Sequence, residues 1–209
     1  MAGVFITLEG VEGSGKSTQM KLLADYLRGR GYRVLITREP GGTQIGDKIR
    51  DILLNPEFKE MDYRTEVLLY AAGRAQHVSQ VIKPALKLKK IVICDRYIDS
   101  SLVYQGFGRG LTLEDILNIN KWATQDLEPD LTILLYIPVE EGLRRATEVY
   151  ADRIEREGIE FHRKVHEGYR ELARKFPKRY YVVEALGDPK EIHREIVKRV
   201  EILLRTKRR

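Results

Sequence analysis

The 209-residue chain has one cysteine, Cys94, so no disulfide can close within it. Cys94 lies in the apolar run "KKIVICDRY", where a small buried hydrophobe is the expected role and redox chemistry is not. No apolar run approaches the roughly 20 residues that a membrane-spanning helix needs. The start, "MAGVFITLEG", lacks the basic n-region of a secretory signal and goes straight into a strand pattern, so a cytoplasmic location is expected. There is no Pro/Ser-rich linker, low-complexity block or repeat to mark a boundary. One domain over residues 1–209 is therefore expected, a length that supports one substantial core.

What is present is a globular composition, 43% hydrophobic and 33% charged. A net charge of +6 suits an enzyme whose ligands are polyanions. Part of that excess is the tail "RTKRR" at Arg205 to Arg209, which reads as a solvated helix end, so nucleic acid is not an expected partner.

"VFITLE" at Val4 to Glu9 is a β-rich run that ends at glycines, and "STQMKLLADYLRGRG" then carries apolar residues at helical spacing. Four further strand candidates, Arg33 to Arg38, Lys90 to Asp95, Leu131 to Ile137 and Arg179 to Ala185, alternate with helical patterns. That alternation predicts an α/β fold, a mostly parallel five-stranded sheet with helices on both faces. Thr112 with Asp115 reads as a capping pair for a helix from about Leu113 to Thr124, and Asp188 as the cap of the last helix. Pro84 predicts a kink or break in the helical stretch from Arg64 to Leu88.

Between the first strand and first helix, Gly10-Val11-Glu12-Gly13-Ser14-Gly15-Lys16-Ser17 satisfies G-x-x-x-x-G-K-[ST]. Its glycines allow backbone N–H groups to converge on phosphate oxygens, with Thr18 continuing into the helix, whose positive end adds to the site. Lys16 can reach β- and γ-phosphates, and the Ser17 hydroxyl can ligate Mg²⁺. A carboxylate is normally needed beside that hydroxyl. Asp95, at the end of "IVICD", is the candidate, holding the metal through water. His162 and His166 are four apart on a helical stretch, but no third ligand follows at a recognisable spacing, so a solvated face is expected.

The segments "FITLEGVEGSGKSTQMKLL", "TREPGGT", "AAGRAQH", "DRYIDSSLVYQGFGRG" and "DRIERE" follow one another in an order and spacing that resembles thymidylate kinases over nearly the whole chain. The resemblance implies a three-layer P-loop kinase fold with a short lid, here about residues 144–157. It implies Mg²⁺-dependent transfer of the γ-phosphate of ATP to dTMP, giving dTDP and ADP in dTTP biosynthesis, by a homodimer. "TEVLLYAAG" at Thr65 to Gly73 is a candidate contributor to the dimer face.

By the same resemblance, Glu12 approaches the acceptor sugar and the transfer site, Pro40 lines the pocket, and Arg38, Arg50 and Arg74 supply acceptor contacts, Arg74 to the pyrimidine. Tyr70, one helical turn before Arg74, stacks on the base. Ser101, Tyr104 and Gln105 contact base and sugar, Tyr104 crowding the place of a ribose 2′-hydroxyl. Arg96 bridges donor and acceptor phosphates. Relatives with Gly at the position of Gly13 take a transition-state arginine from an arginine-rich lid; this chain departs in having few basic residues there. Arg153 in "DRIE" is the expected finger, with Arg144 and Arg145 upstream. Two rivals remain at this point: a kinase for another acceptor, such as UMP, AMP or a deoxynucleoside, and a regulatory ATPase switch.

Overall fold

The computed structural model describes residues 3–145 and 152–207; residues 146–151, in the middle of the expected lid, lie outside the described residues. Five strands, β1 (Val4–Glu9), β2 (Val34–Arg38), β3 (Ile91–Asp95), β4 (Leu131–Tyr136) and β5 (Tyr180–Glu184), form one sheet in the order β2-β3-β1-β4-β5. Every pairing is parallel. All of β1 is buried, as is β3 up to Asp95, which is why these central strands read as continuous runs rather than alternating ones.

The two-residue period of β1 divides its side chains between the layers. Val4, Ile6 and Leu8 join a core that includes Met20, Leu23 and Leu27 of α1 (Lys16–Gly29) and Ile192, Ile196 and Val200 of α9 (Pro189–Thr206). Phe5 turns to the other face, with Val92, Cys94, Tyr97, Val78 and Ile82. Thr7 and Glu9 follow Phe5 in register, so a carboxylate is buried at the sheet's end directly before the phosphate loop.

The remaining helices are α2 (Gln44–Leu54), α3 (Tyr63–His77), α4 (Lys83–Lys87), α5 (Ile98–Ser101), α6 (Leu113–Thr124), α7 (Val139–Arg145) and α8 (Ile159–Lys175). The stretch stays helical across Pro84: a wider π-helical turn, Val78–Ile82, joins α3 to α4, with Lys83 N bonded to the Val78 carbonyl, and this irregular turn directly before Pro84 is where the proline's misfit in a helix is taken up.

Two local expectations need correction. α6 begins at Leu113 as expected, but Thr112 makes no side-chain cap bond, and the first turn closes from its carbonyl to Ile116 N, 3.2 Å. His162 is not solvated. It lies three residues before Val165 and seven before Tyr169, in the buried stripe of α8, and only 4% of it is exposed. His166 stacks on the Tyr136 ring at 4.3 Å. Burial lowers the pKa of both imidazoles.

The two caps make a testable contrast. Asp188 accepts from Lys190 N at 2.9 Å, so Asp188→Ala is expected to cost about 1 kcal/mol in urea denaturation. Thr112→Ala is expected to leave the midpoint nearly unmoved, and an equal loss would show that both side chains cap.

Candidate active site

The C-terminal ends of β1 and β3 open onto a cavity of about 670 Å³, the place where parallel sheets bind ligands. Glu12, Gly13, Gly15, Lys16, Ser17 and Thr18 line it, while Gly10, Val11 and Ser14 form the turn behind them. No side chain caps α1, so its first N–H groups are left for an anion. Lys16 Nζ is folded onto the carbonyls of Gly10 (3.1 Å) and Val11 (3.0 Å). Burial, then the nearby Arg96 charge, lower its pKa. A Cβ at Gly13, where φ is +70°, would come within 2.2 Å of the Gly142 carbonyl. A larger residue would therefore have to displace the base of α7.

Arg96 occupies the middle of the cavity in a left-handed backbone conformation, φ +66°, which a side-chain-bearing residue adopts only when its surroundings fix it. Its guanidinium pairs with Glu12 Oε1 through Nη2 and donates to Ser100 Oγ (3.3 Å) and Tyr169 OH (3.2 Å) through Nη1. It lies 5.0 Å over the Tyr104 ring. Burial would raise the Glu12 pKa; the charges of Arg96 and Lys16 outweigh it and hold the carboxyl at about 2. Behind them, Glu9 accepts from Tyr97 N (2.8 Å), Ser100 Oγ (2.6 Å) and Tyr169 OH (2.8 Å). Burial, then the Asp99 charge, raise the Glu9 pKa to about 7.

All the acceptor candidates, Glu12, Arg38, Pro40, Arg50, Tyr70, Arg74, Arg96, Ser101, Tyr104 and Gln105, line the same cavity. They come from the phosphate loop after β1, the end of β2 and the loop that follows it, α2 and α3, and the stretch after β3, where a second π-helical segment, Leu102–Gly108, carries Tyr104 and Gln105. Arg38 pairs with Asp47 at 3.5 Å and remains largely exposed, and Arg50 donates to the Pro40 carbonyl at 3.1 Å. Arg74 is 2% exposed.

Ser17 and Asp95 both border the cavity, and Asp95 Oδ1 is buried with no hydrogen-bond partner among the described residues. An orphaned carboxylate oxygen and a hydroxyl on the border of one cavity are hard-oxygen donors of the kind Mg²⁺ takes. No cluster of three or more His, Cys, Asp or Glu able to hold a metal occurs among the described residues. The other ligands would be phosphate oxygens and water.

Arg153 is not brought to this cavity. Its Nη2 lies 2.6 Å from Glu66 Oε2, its Nε donates to Leu53 O at 2.9 Å, and its own N–H reaches Leu54 O at 3.1 Å. Glu66 is fully buried and also takes Arg109 (3.2 Å) and Gln105 (2.9 Å). Arg109 spans to Glu157 at 2.5 Å, with the Tyr63 and Phe161 rings 4.9 and 4.7 Å away. In this structure Arg153 lies away from the phosphate loop, as a finger delivered by lid closure would, and reaching the phosphates would require it to leave a fully buried carboxylate to Arg109 and Gln105. Arg144 is exposed and paired with Glu141 at 2.8 Å; Arg145 pairs with the same carboxylate at 2.6 Å, donates to Ala185 O at 3.3 Å, and borders the cavity beside Gly13.

The residues that sequence reasoning missed are the holders: Glu9, Glu39, Glu66, His77, Asn120 and Tyr169. Glu39 lies inside the quoted "TREPGGT" and His77 one helical step after Arg74, so their nearness to named residues was an available signal. Asn120 and Tyr169 had none.

Two outcomes follow. Between the ordinary carboxyl value of 4.5 and about 7, the folded chain holds a Glu9 proton that the unfolded chain has released, so stability falls as pH rises across that window and levels off above it. Glu9→Gln removes this titration, and the stability of the variant relative to the parent should climb from pH 4.5 to 7; a flat difference would refute it. Arg153→Ala is expected to cost on the order of 2 kcal/mol for the lost charge-assisted bonds, Glu66 keeping Arg109 and Gln105, while Arg144→Ala leaves thermal unfolding unmoved.

The thymidylate kinase family model matches residues 8–196. The chain is 48% identical to the thymidylate kinase of Exiguobacterium sibiricum, covering 100% of this chain and 99% of that one. It is 49% identical to the thymidylate kinase of Halothermothrix orenii, covering 96% and 98%. The crystal structure of thymidylate kinase from Ehrlichia chaffeensis superposes with a TM-score of 0.79 at 34% identity, over 96% of this chain and 100% of that one. The parallel sheet, the phosphate loop and full-length similarity agree, and the chain belongs to the thymidylate kinase family.

Proposed function

We propose that the chain is a Mg²⁺-dependent kinase that transfers the γ-phosphate of ATP to dTMP, giving dTDP and ADP. The observation that carries this is the position of Arg96, held by Glu12 of the phosphate loop on one side and by Ser100 on the other, in one cavity with the acceptor candidates. A regulatory ATPase has no use for that second half. In this reading ATP places its phosphates on the N-terminus of α1. Lys16 leaves the Gly10 and Val11 carbonyls to meet the β- and γ-phosphates, its lowered pKa reflecting how little its present partners offset its burial. Ser17 and Asp95 would hold Mg²⁺, which screens phosphate charge when bound.

Tyr70 and Arg74 receive the thymine, Ser101 and Gln105 border the base and sugar, and Tyr104 excludes a ribose 2′-hydroxyl. Glu12 approaches the sugar, and Arg38, Pro40 and Arg50 enclose the acceptor end. The acceptor phosphate is already a nucleophile, so catalysis is positioning and charge compensation, with little general-base work. The chain is read as one domain with a lid over about 144–157. Arg145, on the cavity rim beside Gly13, is the arginine best placed to add charge on closure, with Arg153 anchoring the lid.

The acting unit is read as a homodimer. Leu68 on α3 and Leu117 and Trp122 on α6 are exposed on two helices that pack together, an apolar face that fits a second copy. A cytoplasmic location completes the reading; among the described residues no helix is long and apolar enough to cross a membrane.

ADP release measured across nucleoside monophosphates should require dTMP, and release without an acceptor, or preference for UMP or AMP, would sink the assignment. Lys16→Ala should depress turnover by orders of magnitude without unfolding the chain. Arg145→Ala should lower kcat and kcat/KM together, toward the ~10³-fold effect of arginine fingers. Should Arg153→Ala do so instead, with stability unchanged, Arg153 is the finger.

A further inference from the structure

A guanidinium has five N–H donors in a fixed plane. Four of those on Arg74 are taken within the protein. Nε donates to Glu39 Oε2 at 2.6 Å, Nη1 to Ser101 Oγ at 3.0 Å and to Asn120 Oδ1, and Nη2 to the Tyr97 carbonyl at 3.0 Å. Asn120 is itself oriented by its Nδ2, which donates to Ile116 O at 2.8 Å. One Nη2 hydrogen is left for a ligand, and Arg74 borders the cavity. A single donor discriminates only if its direction is fixed.

Glu39 fixes it, and Glu39 is held in turn. Its other oxygen, Oε1, lies 2.9 Å from His77 Nδ1, and His77 Nε2 lies 2.6 Å from Thr37 Oγ1. A carboxylate only accepts, so Nδ1 carries a hydrogen in either charge state of the ring. His77 is fully buried and does not border the cavity. The loop after Glu39 closes on the same ring: a Cβ at Gly42, φ +81°, would come within 2.8 Å of His77 Nε2 and 2.9 Å of Thr37 Oγ1.

Resting on the reading of Arg74 as the acceptor-base contact, we infer that Thr37, His77 and Glu39 form a positioning chain that aims the remaining Arg74 N–H and so sets the choice between pyrimidines. A base with a carbonyl at ring position 4 accepts that hydrogen. A base with an amino group there presents donor to donor and is refused. His77 and Thr37 do not border the cavity; they act on it through Glu39, which does, and through the Arg74 that Glu39 holds.

The test compares dTMP with dCMP as acceptors and follows the KM of ATP. His77→Leu keeps an apolar side chain in the site but loses the Nδ1 hydrogen; it should raise the KM of dTMP about tenfold, the worth of one ordinary hydrogen bond. It should also narrow the dTMP over dCMP ratio of kcat/KM and leave the KM of ATP alone. His77→Asn, whose amide nitrogen takes the place of Nδ1, should restore most of the ratio. If His77→Leu does not fold, Thr37→Val carries the same expectation on a smaller scale. Equal losses for both acceptors, or for ATP as well, would overturn the chain as a positioning device, as would failure of His77→Asn to recover the ratio in a folded protein. Arg74→Ala separates the premises. If it leaves the KM of dTMP unchanged, the acceptor reading itself has failed; if it raises that KM while His77→Leu does not, only the positioning chain is lost.

Discussion

A cavity meant for polyanions must hold several cations close together when nothing negative is bound, and in and beside it this chain pairs the most buried guanidinium groups with carboxylates. Glu12 holds Arg96, Glu39 holds Arg74, and Glu66 holds Arg109 with Arg153. A fourth pair, Asp99 with Arg179 at 2.5 Å, stands behind the site. Removing either partner from such a pair strands a charge away from water, which costs more than the pair itself contributes. The pairs thus act less as sources of net stability than as fixed bearings for planar side chains.

These bearings depend on the sheet. Because β1 alternates, the residue that ends it on the Phe5 face is Glu9, and Glu9 collects Tyr97 N, Ser100 and Tyr169 into one buried knot. Two of those groups then receive Arg96. The left-handed turn at Arg96 is kept by bonds on both sides, its N–H to Leu8 O at 3.0 Å and its guanidinium to Glu12 and Ser100. The ends of two neighbouring strands therefore set the central cation of the site.

The readable part of the fold is local. Each strand was visible as an apolar or β-branched run with ends correct to one residue, and the phosphate loop carries its own spacing. The acceptor candidates share a cavity because their segments sit at strand ends or one helical turn apart, as Tyr70 and Arg74 do. What stayed hidden is partner choice over distance. Glu66 meets Arg109 and Arg153 across 43 and 87 positions, and nothing in "DRIE" distinguishes an arginine that reaches for phosphate from one that seals a buried acid. His162 shows a related limit: an imidazole fits either face of α8, and which face is buried is settled by tertiary packing. Thr112 shows the converse, a residue with the right type for a cap whose helix starts from the backbone alone.

Trp122 is the chain's one tryptophan, 85% exposed on α6, and it does not border the nucleotide cavity. An indole so exposed is expected to emit as it does in water and to report on the outer surface of the molecule. Filling the cavity leaves that signal nearly silent, while covering α6 shifts it to shorter wavelength. Tyr70 and Tyr104, by contrast, border the cavity and are the chromophores placed to respond to whatever fills it. One protein therefore carries two separate optical channels, one for its surface and one for its ligand.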